Sequence, residues 1–368
     1  MVPRRAASGR GNVPGSSPGT HSVSTERSDR PGEPSPWEET ARPASAAARV
    51  HAVSVNYRTA ALAERLLASL ARERDACPGL TATIVDNASG DGSVERLRER
   101  IAAAGWEEWA EVLPSEENGG FAYGNNLGVR RGSGLDPAPA FHLLINPDCE
   151  AQPGMVAALL EAAATRPRAG YLGPYSEIGR GNHRNTAFRF PGVLNHLDEG
   201  LRVGFVSRLL PRWRLSPEPR PEAHRTDWLS GGCVLVRAEV FEEVGPMDED
   251  YFLYYEEVDH MLAASKRGWE CWYVPEAALL HDSGAATGVT GEHEFEARIP
   301  RYWLESRARY LVKNHGRLKK LLCDLAWTTG SLVRLARCKL LRRPTGDPPR
   351  FFQDFVAFNL LGRRDVGR

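Results

Sequence analysis

Asp148 follows the apolar run Phe141-His142-Leu143-Leu144-Ile145 and the dipeptide Asn146-Pro147, so it stands at the end of an expected strand. A carboxylate there can hold a hard divalent cation on a nucleotide diphosphate, with phosphate and water supplying most of the other ligands. His281, in His281-Asp282-Ser283-Gly284, could complete such a site from a distant part of the chain. A lone histidine is more often structural, so neither residue decides the matter by itself. Between residues 248 and 259 six acids alternate with aromatics, ending in Glu256-Glu257-Val258-Asp259. Crowded carboxylates repel one another, which raises some of their pKa values toward the range a general base needs. The bland alternative is a solvated acidic turn capping the next helix.

Two polar segments have binding chemistry rather than proton chemistry. Asp86-Asn87-Ala88-Ser89-Gly90-Asp91-Gly92-Ser93 directly follows an apolar run. Its first carboxylate can accept the imide N–H of a pyrimidine base, although the same run would also serve as an Asx-type helix cap. Asn118-Gly119-Gly120-Phe121-Ala122-Tyr123-Gly124-Asn125-Asn126 pairs glycines, which admit a ligand close to the backbone, with amide donors and acceptors. It could equally be a glycine loop before a helix, with Phe121 in the core.

These residues need a frame that brings them together. Val50 to Val55, Thr81 to Val85, Ala110 to Leu113 and Phe141 to Ile145 read as strands. Leu62, Leu66, Leu67 and Leu70, then Val94, Leu97 and Ile101, recur at helical spacing between them. Alternating strands and helices predict a mostly parallel sheet covered on both faces. Ligands of such sheets bind beyond the carboxyl ends of the strands, where Asn56, Asp86, Asn118 and Asp148 fall. Residues 180–226 are rich in Arg and Pro with weak periodicity, and read as a long surface excursion. Regular pattern returns at Trp228 to Arg237, in a following helix, and in a strand at Cys271 to Val274. Ile299 to His315 and residues 318–342 read as two further helices.

Composition removes several classes. The chain has 368 residues, and its first 49 hold seven Pro, five Gly, eight Ser and seven Arg. That stretch buries too little apolar surface to fold, so residues 1–49 are expected to be a disordered leader. Lys plus Arg and Asp plus Glu balance at 47 each, so no overall field draws the chain to nucleic acid. Six scattered cysteines, no C-x-x-C and no apolar signal segment predict a reduced, cytoplasmic setting. P-loop, zincin and EF-hand spacings are absent.

Taken in order, Val55-Asn56-Tyr57, Val85-Asp86-Asn87-Ala88-Ser89, Asn118 to Ala122 with Asn125-Asn126, and Leu144 to Asp148 form a recognisable series. Gly231 to Arg237, Tyr254 to Asp259 and His281-x-x-Gly284 continue it. The series resembles a family 2 glycosyltransferase with the GT-A fold, of the rhamnosyltransferase-like branch, over residues 50–315. The resemblance implies an α/β Rossmann-like, mostly parallel mixed sheet flanked by helices. It implies that Asp86 pairs with the nucleotide base, with Asn56 and Asn87 nearby, and that Asn118, Gly120, Phe121, Asn125 and Asn126 line the donor. Asp148 and His281 would hold Mg²⁺ or Mn²⁺ on the diphosphate. Trp228, Gly231, Gly232 and Asp259 would lie on the acceptor side. Glu257 falls where the family often has the aspartate base, and the choice between Glu256 and Glu257 stays open. The implied reaction is a single inverting displacement, with dTDP-rhamnose the first expected donor and UDP-galactofuranose the next. A glycan or polyprenyl-diphosphate-linked saccharide would be the acceptor. A non-catalytic scaffold of the same shape would not need Asp86, Asp148, Glu257 and His281, which are all present.

Beyond the resemblance, residues 316–368 form a basic extension. Leu318, Leu321, Leu322, Leu325, Leu332, Leu335 and Leu340, with Trp327, offer apolar surface, and nine Lys or Arg fall between Lys313 and Arg343 against one acid, Asp324. This suits a helix lying peripherally on an anionic membrane at the inner face of the cell. A helix packing its leucines on the catalytic domain or on a second subunit is the alternative. Thr328-Thr329 and Gly330 are expected to weaken it, and Phe351, Phe352, Phe355 and Phe358 to extend whichever surface it forms.

Overall fold

The computed structural model describes residues 48–178, 182–204, 213–218, 220–281 and 298–367. Nearly all of the expected leader, and residues 282–284 of the histidine motif, lie outside these. The first half alternates β1 (Val50–Asn56), α1 (Ala60–Glu73), β2 (Leu80–Asp86), α2 (Ser93–Ala104), β3 (Ala110–Pro114), α3 (Gly120–Ser133) and β4 (Phe141–Ile145). β1 pairs in parallel with β2 and β4, and β2 with β3. Both faces of these strands are covered, which is why they read as apolar runs rather than as alternating patterns. On one face Leu66, Leu67 and Leu70 of α1 pack fully buried over Ala52 and Ile84. On the other, α3 sits against β1 through Gly124, Gly128 and Gly132, where an added Cβ would come within 2.8 Å of Val55, Val53 and His51 in turn. A glycine at every fourth position is what lets that helix lie so close.

The chain continues through β5 (Cys149–Ala151), α4 (Met155–Ala164), β6 (Ala169–Ile178), β7 (Asn182–Arg184), β8 (Ala187–Phe188) and α5 (Val193–Leu201). Then come β9 (His224–Thr226), β10 (Trp228–Leu229), β11 (Cys233–Arg237), α6 (Ala238–Val244), α7 (Glu256–Ser265) and β12 (Glu270–His281). Among the described residues ten strands form one mixed sheet, ordered along its main path β3-β2-β1-β4-β11-β6-β12-β5. Two antiparallel pairings matter for function. β11 runs against β4 with Cys233 opposite Ile145, so the start of β11 lies at the carboxyl end of β4. β12 runs against β5 with His281 opposite Cys149, which brings that histidine back beside Asp148.

The expected excursion over 180–226 is more structured than its composition implies, because it contains α5, whose Asn195, His196 and Gly200 are buried. The C-terminal region holds α8 (Arg301–Leu340) and α9 (Phe351–Asn359). Inside α8 only Gly316 leaves helical geometry, at φ 81° and ψ 165°, a region open essentially to glycine alone. Arg307 and Asp324 nevertheless meet at 2.6 Å across this residue. Seventeen residues of straight helix would hold them about 26 Å apart. The chain therefore folds back at Gly316 into two arms, as the two separate helical patterns predict. The first arm packs Tyr310 and Leu311 with Tyr251 and Val258, and the second packs Trp327 with Phe355 and Phe358 of α9.

Candidate active site

An open cleft of about 340 Å³ lies at the carboxyl ends of β1 and β4. Its walls come from Val55 at the end of β1 and Tyr57 after it, Asn87 after β2, Asn118 before α3, Gly120 and Phe121 at its start, and Asn146 to Asp148 after β4. Ser230, Gly231 and Gly232, Phe252 to Tyr254, Glu256, Glu257, His281 and Tyr302 complete it.

On one side Asp148 is buried, and no hydrogen bond reaches its Oδ1 among the described residues. His281 Nε2 stands 3.3 Å from that oxygen. An orphaned buried carboxylate oxygen facing an imidazole nitrogen fits a divalent cation that takes its remaining ligands from diphosphate and water. Cys149 lies within the same group of potential ligands, but its thiol donates to Gly232 O at 3.3 Å, and burial and the adjacent Asp148 push its pKa far up. It therefore stays a neutral thiol. Gly232 is required here, since a Cβ would fall 2.7 Å from His281 Cε1.

On the other side Glu256 and Glu257 open α7. Tyr254 and Tyr255 before them both have φ of 72°, a left-handed pair that side chains rarely adopt. Glu256 is 3 % exposed, and burial, then the charge of Glu257, raises its pKa well above the ordinary carboxylate range. Burial also raises Glu257, but backbone amides, Gly231 among them, favour its charged form. Burial raises both adjacent carboxylates of this wall, and the charge of Glu257 raises Glu256 further, so the two titrate as a pair. Gly231 lies against Glu257, where a Cβ would stand 3.6 Å from Oε1, while Gly232 lies against His281. The glycine pair at the start of β11 thus separates the two chemical halves of the cleft.

The acidic segment is tied down from α8. Lys313 Nζ bonds Asp248 at 2.7 Å and Asp259 at 2.6 Å, and Arg309 bonds Asp248 at 2.9 Å. Burial pushes the Asp248 carboxyl up, but Lys313 and Arg309 together hold it below the usual range. The crowding expected to raise pKa values acts on Glu256, whose neighbour Glu257 adds to its burial, and not on Asp248.

The family model for "Glycosyl transferase family 2" matches residues 52–245, more than half of the chain. The chain is a family 2 glycosyltransferase. It is 34 % identical over 256 residues to the N-acetylglucosaminyl-diphospho-decaprenol L-rhamnosyltransferase of Mycobacterium tuberculosis, an alignment covering 64 % of this chain and 76 % of that protein. Its fold is shared with the mannosyltransferase PcManGT of Pyrobaculum calidifontis in complex with GDP-Man and Mn²⁺. That likeness has a TM-score of 0.50 at 16 % identity, over 82 % of this chain and 80 % of the other. The fold is also that of GalNAc-T7 with UDP, GalNAc and Mn²⁺, with a TM-score of 0.53 at 13 % identity, over 87 % and 58 % of the two chains.

Of the residues expected to act in this glycosyltransferase, the cleft gathers Asn87, Asn118, Gly120, Phe121, Asp148, Gly231, Gly232, Glu256, Glu257 and His281. Asn56 and Asp86 lie just behind its wall. Asn56 donates to Asp86 at 2.7 Å, and Asp86 accepts from the Ser89 amide at 3.0 Å and hydroxyl at 2.6 Å, so this carboxylate shapes the turn as well as closing the strand. Four expected site residues are committed elsewhere. Asn125 donates to Phe121 O at 2.9 Å, and Asn126 clamps the Met247 backbone through both its amide nitrogen and oxygen. Trp228 stacks on Phe188 at 4.4 Å and donates to Arg189 O. Asp259 is buried and bonded to Lys313 and Asn314. Each has a protein partner, and none of the four lines the cleft. Tyr302 was not legible as a site residue, because it reaches the cleft from α8, far from the motifs. It stands beside Tyr254 at 6.2 Å and Phe252 at 5.5 Å, an aromatic rim on the base side.

Proposed function

We propose that this glycosyltransferase moves L-rhamnose from dTDP-rhamnose to a saccharide carried on a polyprenyl diphosphate, with inversion, in cell-envelope synthesis at the cytoplasmic face of the membrane. The observation behind this reading is the convergence of Asp148 and His281 with Glu256 and Glu257 on one cleft. Likeness to the mycobacterial rhamnosyltransferase supports the donor and acceptor classes.

Asp148 and His281 are the residues that would hold a divalent cation, and such an ion bound there would offset the negative charge of the departing diphosphate. Asn87 and Asn118 are tied together, the Asn87 amide donating to Asn118 Oδ1 at 2.9 Å and to Gly120 O at 3.0 Å, which fixes the wall facing the donor. Glu257 takes the proton of the acceptor hydroxyl as its oxygen forms the new bond to the anomeric carbon and the bond to the diphosphate breaks. Glu256, protonated beside it, keeps a second negative charge out of that wall. The rim of Phe252, Tyr254 and Tyr302 presents flat apolar faces suited to a sugar ring of the acceptor. The GT-A domain is assigned to residues 50–315, with 1–49 as leader and 316–368 as extension.

The decisive assay measures transfer from dTDP-rhamnose and from UDP-galactofuranose to polyprenyl-diphospho-N-acetylglucosamine, with Mn²⁺, with Mg²⁺ and with EDTA. Rhamnose transfer that EDTA stops is the expected result. Equal transfer with EDTA removes the metal, and a preference for the UDP-sugar replaces the donor.

A further inference from the structure

The second arm of α8 is inside out. Its inward face buries Asp324, Ser331 and Arg334 at 0–2 % exposure, together with Trp327. The two charged groups among them are paired there. Asp324 meets Arg307 and Lys320, and Arg334 bonds Gly200 O, Thr345 O and Asp347. Gly200 and Gly330 allow this close crossing with α5, since a Cβ on either would come within 2.6 Å of the other helix's backbone.

The outward face is apolar. Leu318 is 72 % exposed and Leu340 83 %, with Leu321, Leu322, Leu325 and Leu332 at 44–53 %. At 3.6 residues per turn these six fall within a sector about 100° wide over about 33 Å of helix. Soluble surfaces rarely leave so long an apolar stripe bare. Arg317 lies at one end, and Lys339, Arg342 and Arg343 at the other, all exposed. Between residues 313 and 343 the one acid is Asp324, which is buried. No described helix is long and apolar enough to cross a membrane.

We propose that this arm lies in the headgroup region of an anionic bilayer, with its leucines toward the acyl chains and its terminal basic residues on lipid phosphates. Charge decides the occupant. A second copy pairing stripe to stripe would bring basic ends against basic ends in either direction, whereas an anionic surface complements both. The inference deepens the proposed lipid-linked acceptor by naming the surface that meets its membrane, but its evidence is independent of that reading.

The test is flotation of the full chain with phosphatidylglycerol-containing vesicles and with phosphatidylcholine vesicles, beside light scattering for oligomeric state. Binding is expected only to the anionic vesicles, falling at least about tenfold when salt is raised or when Arg317, Lys339 and Arg342 are all replaced by Glu. Replacing Leu318, Leu321, Leu325 and Leu332 by Ser should weaken it at least about 100-fold while the thermal transition stays that of the parent. Equal binding to neutral vesicles, unchanged binding of the serine variant, or a dimer that this variant dissociates would each overturn the proposal. Loss of rhamnose transfer with flotation intact counts against the enzymatic reading alone.

Discussion

Asp148 with His281 and Glu256 with Glu257 face the same cleft, yet the two pairs are held by different physics. The first pair hangs on sheet register: Asp148 follows β4, and His281 is set opposite Cys149 by the β5–β12 ladder. The second pair follows two left-handed tyrosines on a loop, and is pinned through Asp248 and Asp259 by Arg309 and Lys313 of α8. A ladder places a ligand rigidly where a cation needs close geometry. A tethered loop keeps carboxylates in an apolar wall, where burial tunes their protonation. The difference predicts that damage to the first side removes a function outright, while damage to the second scales with the charge state.

The largest effect is expected from Asp148→Ala, which should lower transfer at least about 10³-fold at saturating donor and metal, with an unchanged melting temperature. Near-parent turnover would take Asp148 out of the reaction. Glu257→Gln comes next, with transfer at least about 10²-fold slower and donor affinity kept, as isothermal titration would read it. If Glu256→Gln shows the greater loss, the protonation order of the pair is reversed. Gly232→Ala should displace the His281 ring and weaken metal binding about tenfold without moving the base, visible as a raised Mn²⁺ requirement at near-parent maximal rate.

Two smaller effects are read in stability. Gly316→Ala forces a side chain into a glycine-only conformation at the fold-back of α8, and should cost about 1–3 kcal/mol by chemical denaturation. A loss within experimental error would mean that the turn relaxes freely. Glu256 has a raised pKa in the fold, so the folded state keeps a proton that the unfolded chain releases. Its contribution is therefore complete below about pH 4.3, the unfolded value, and is lost as pH rises through the folded value. Glu256→Gln should thus gain melting temperature relative to the parent between about pH 4 and 7. Parallel curves for the two proteins would contradict the burial argument.

The parallel half of the sheet, and Asp148 at its strand end, were legible because apolar strand runs and their terminal polar residues are local patterns. The two arms of α8 were also legible, as separate helical patterns on either side of Gly316. What the sequence could not decide is where each side chain spends its hydrogen bonds. Asn126, Trp228 and Asp259 have the right types for ligand contact, but their partners at Met247, Arg189, Lys313 and Asn314 exist only in the tertiary structure. Gly330 reads as a weak point in a helix and is in fact the crossing point with α5. Phe351, Phe355 and Phe358, which could have widened an exposed surface, turn inward with Trp327, while Leu318 and its neighbours stay outside. An amphipathic pattern specifies that a helix has two faces. Only the packing, through the partners offered to Asp324 and Arg334, determined which face went in.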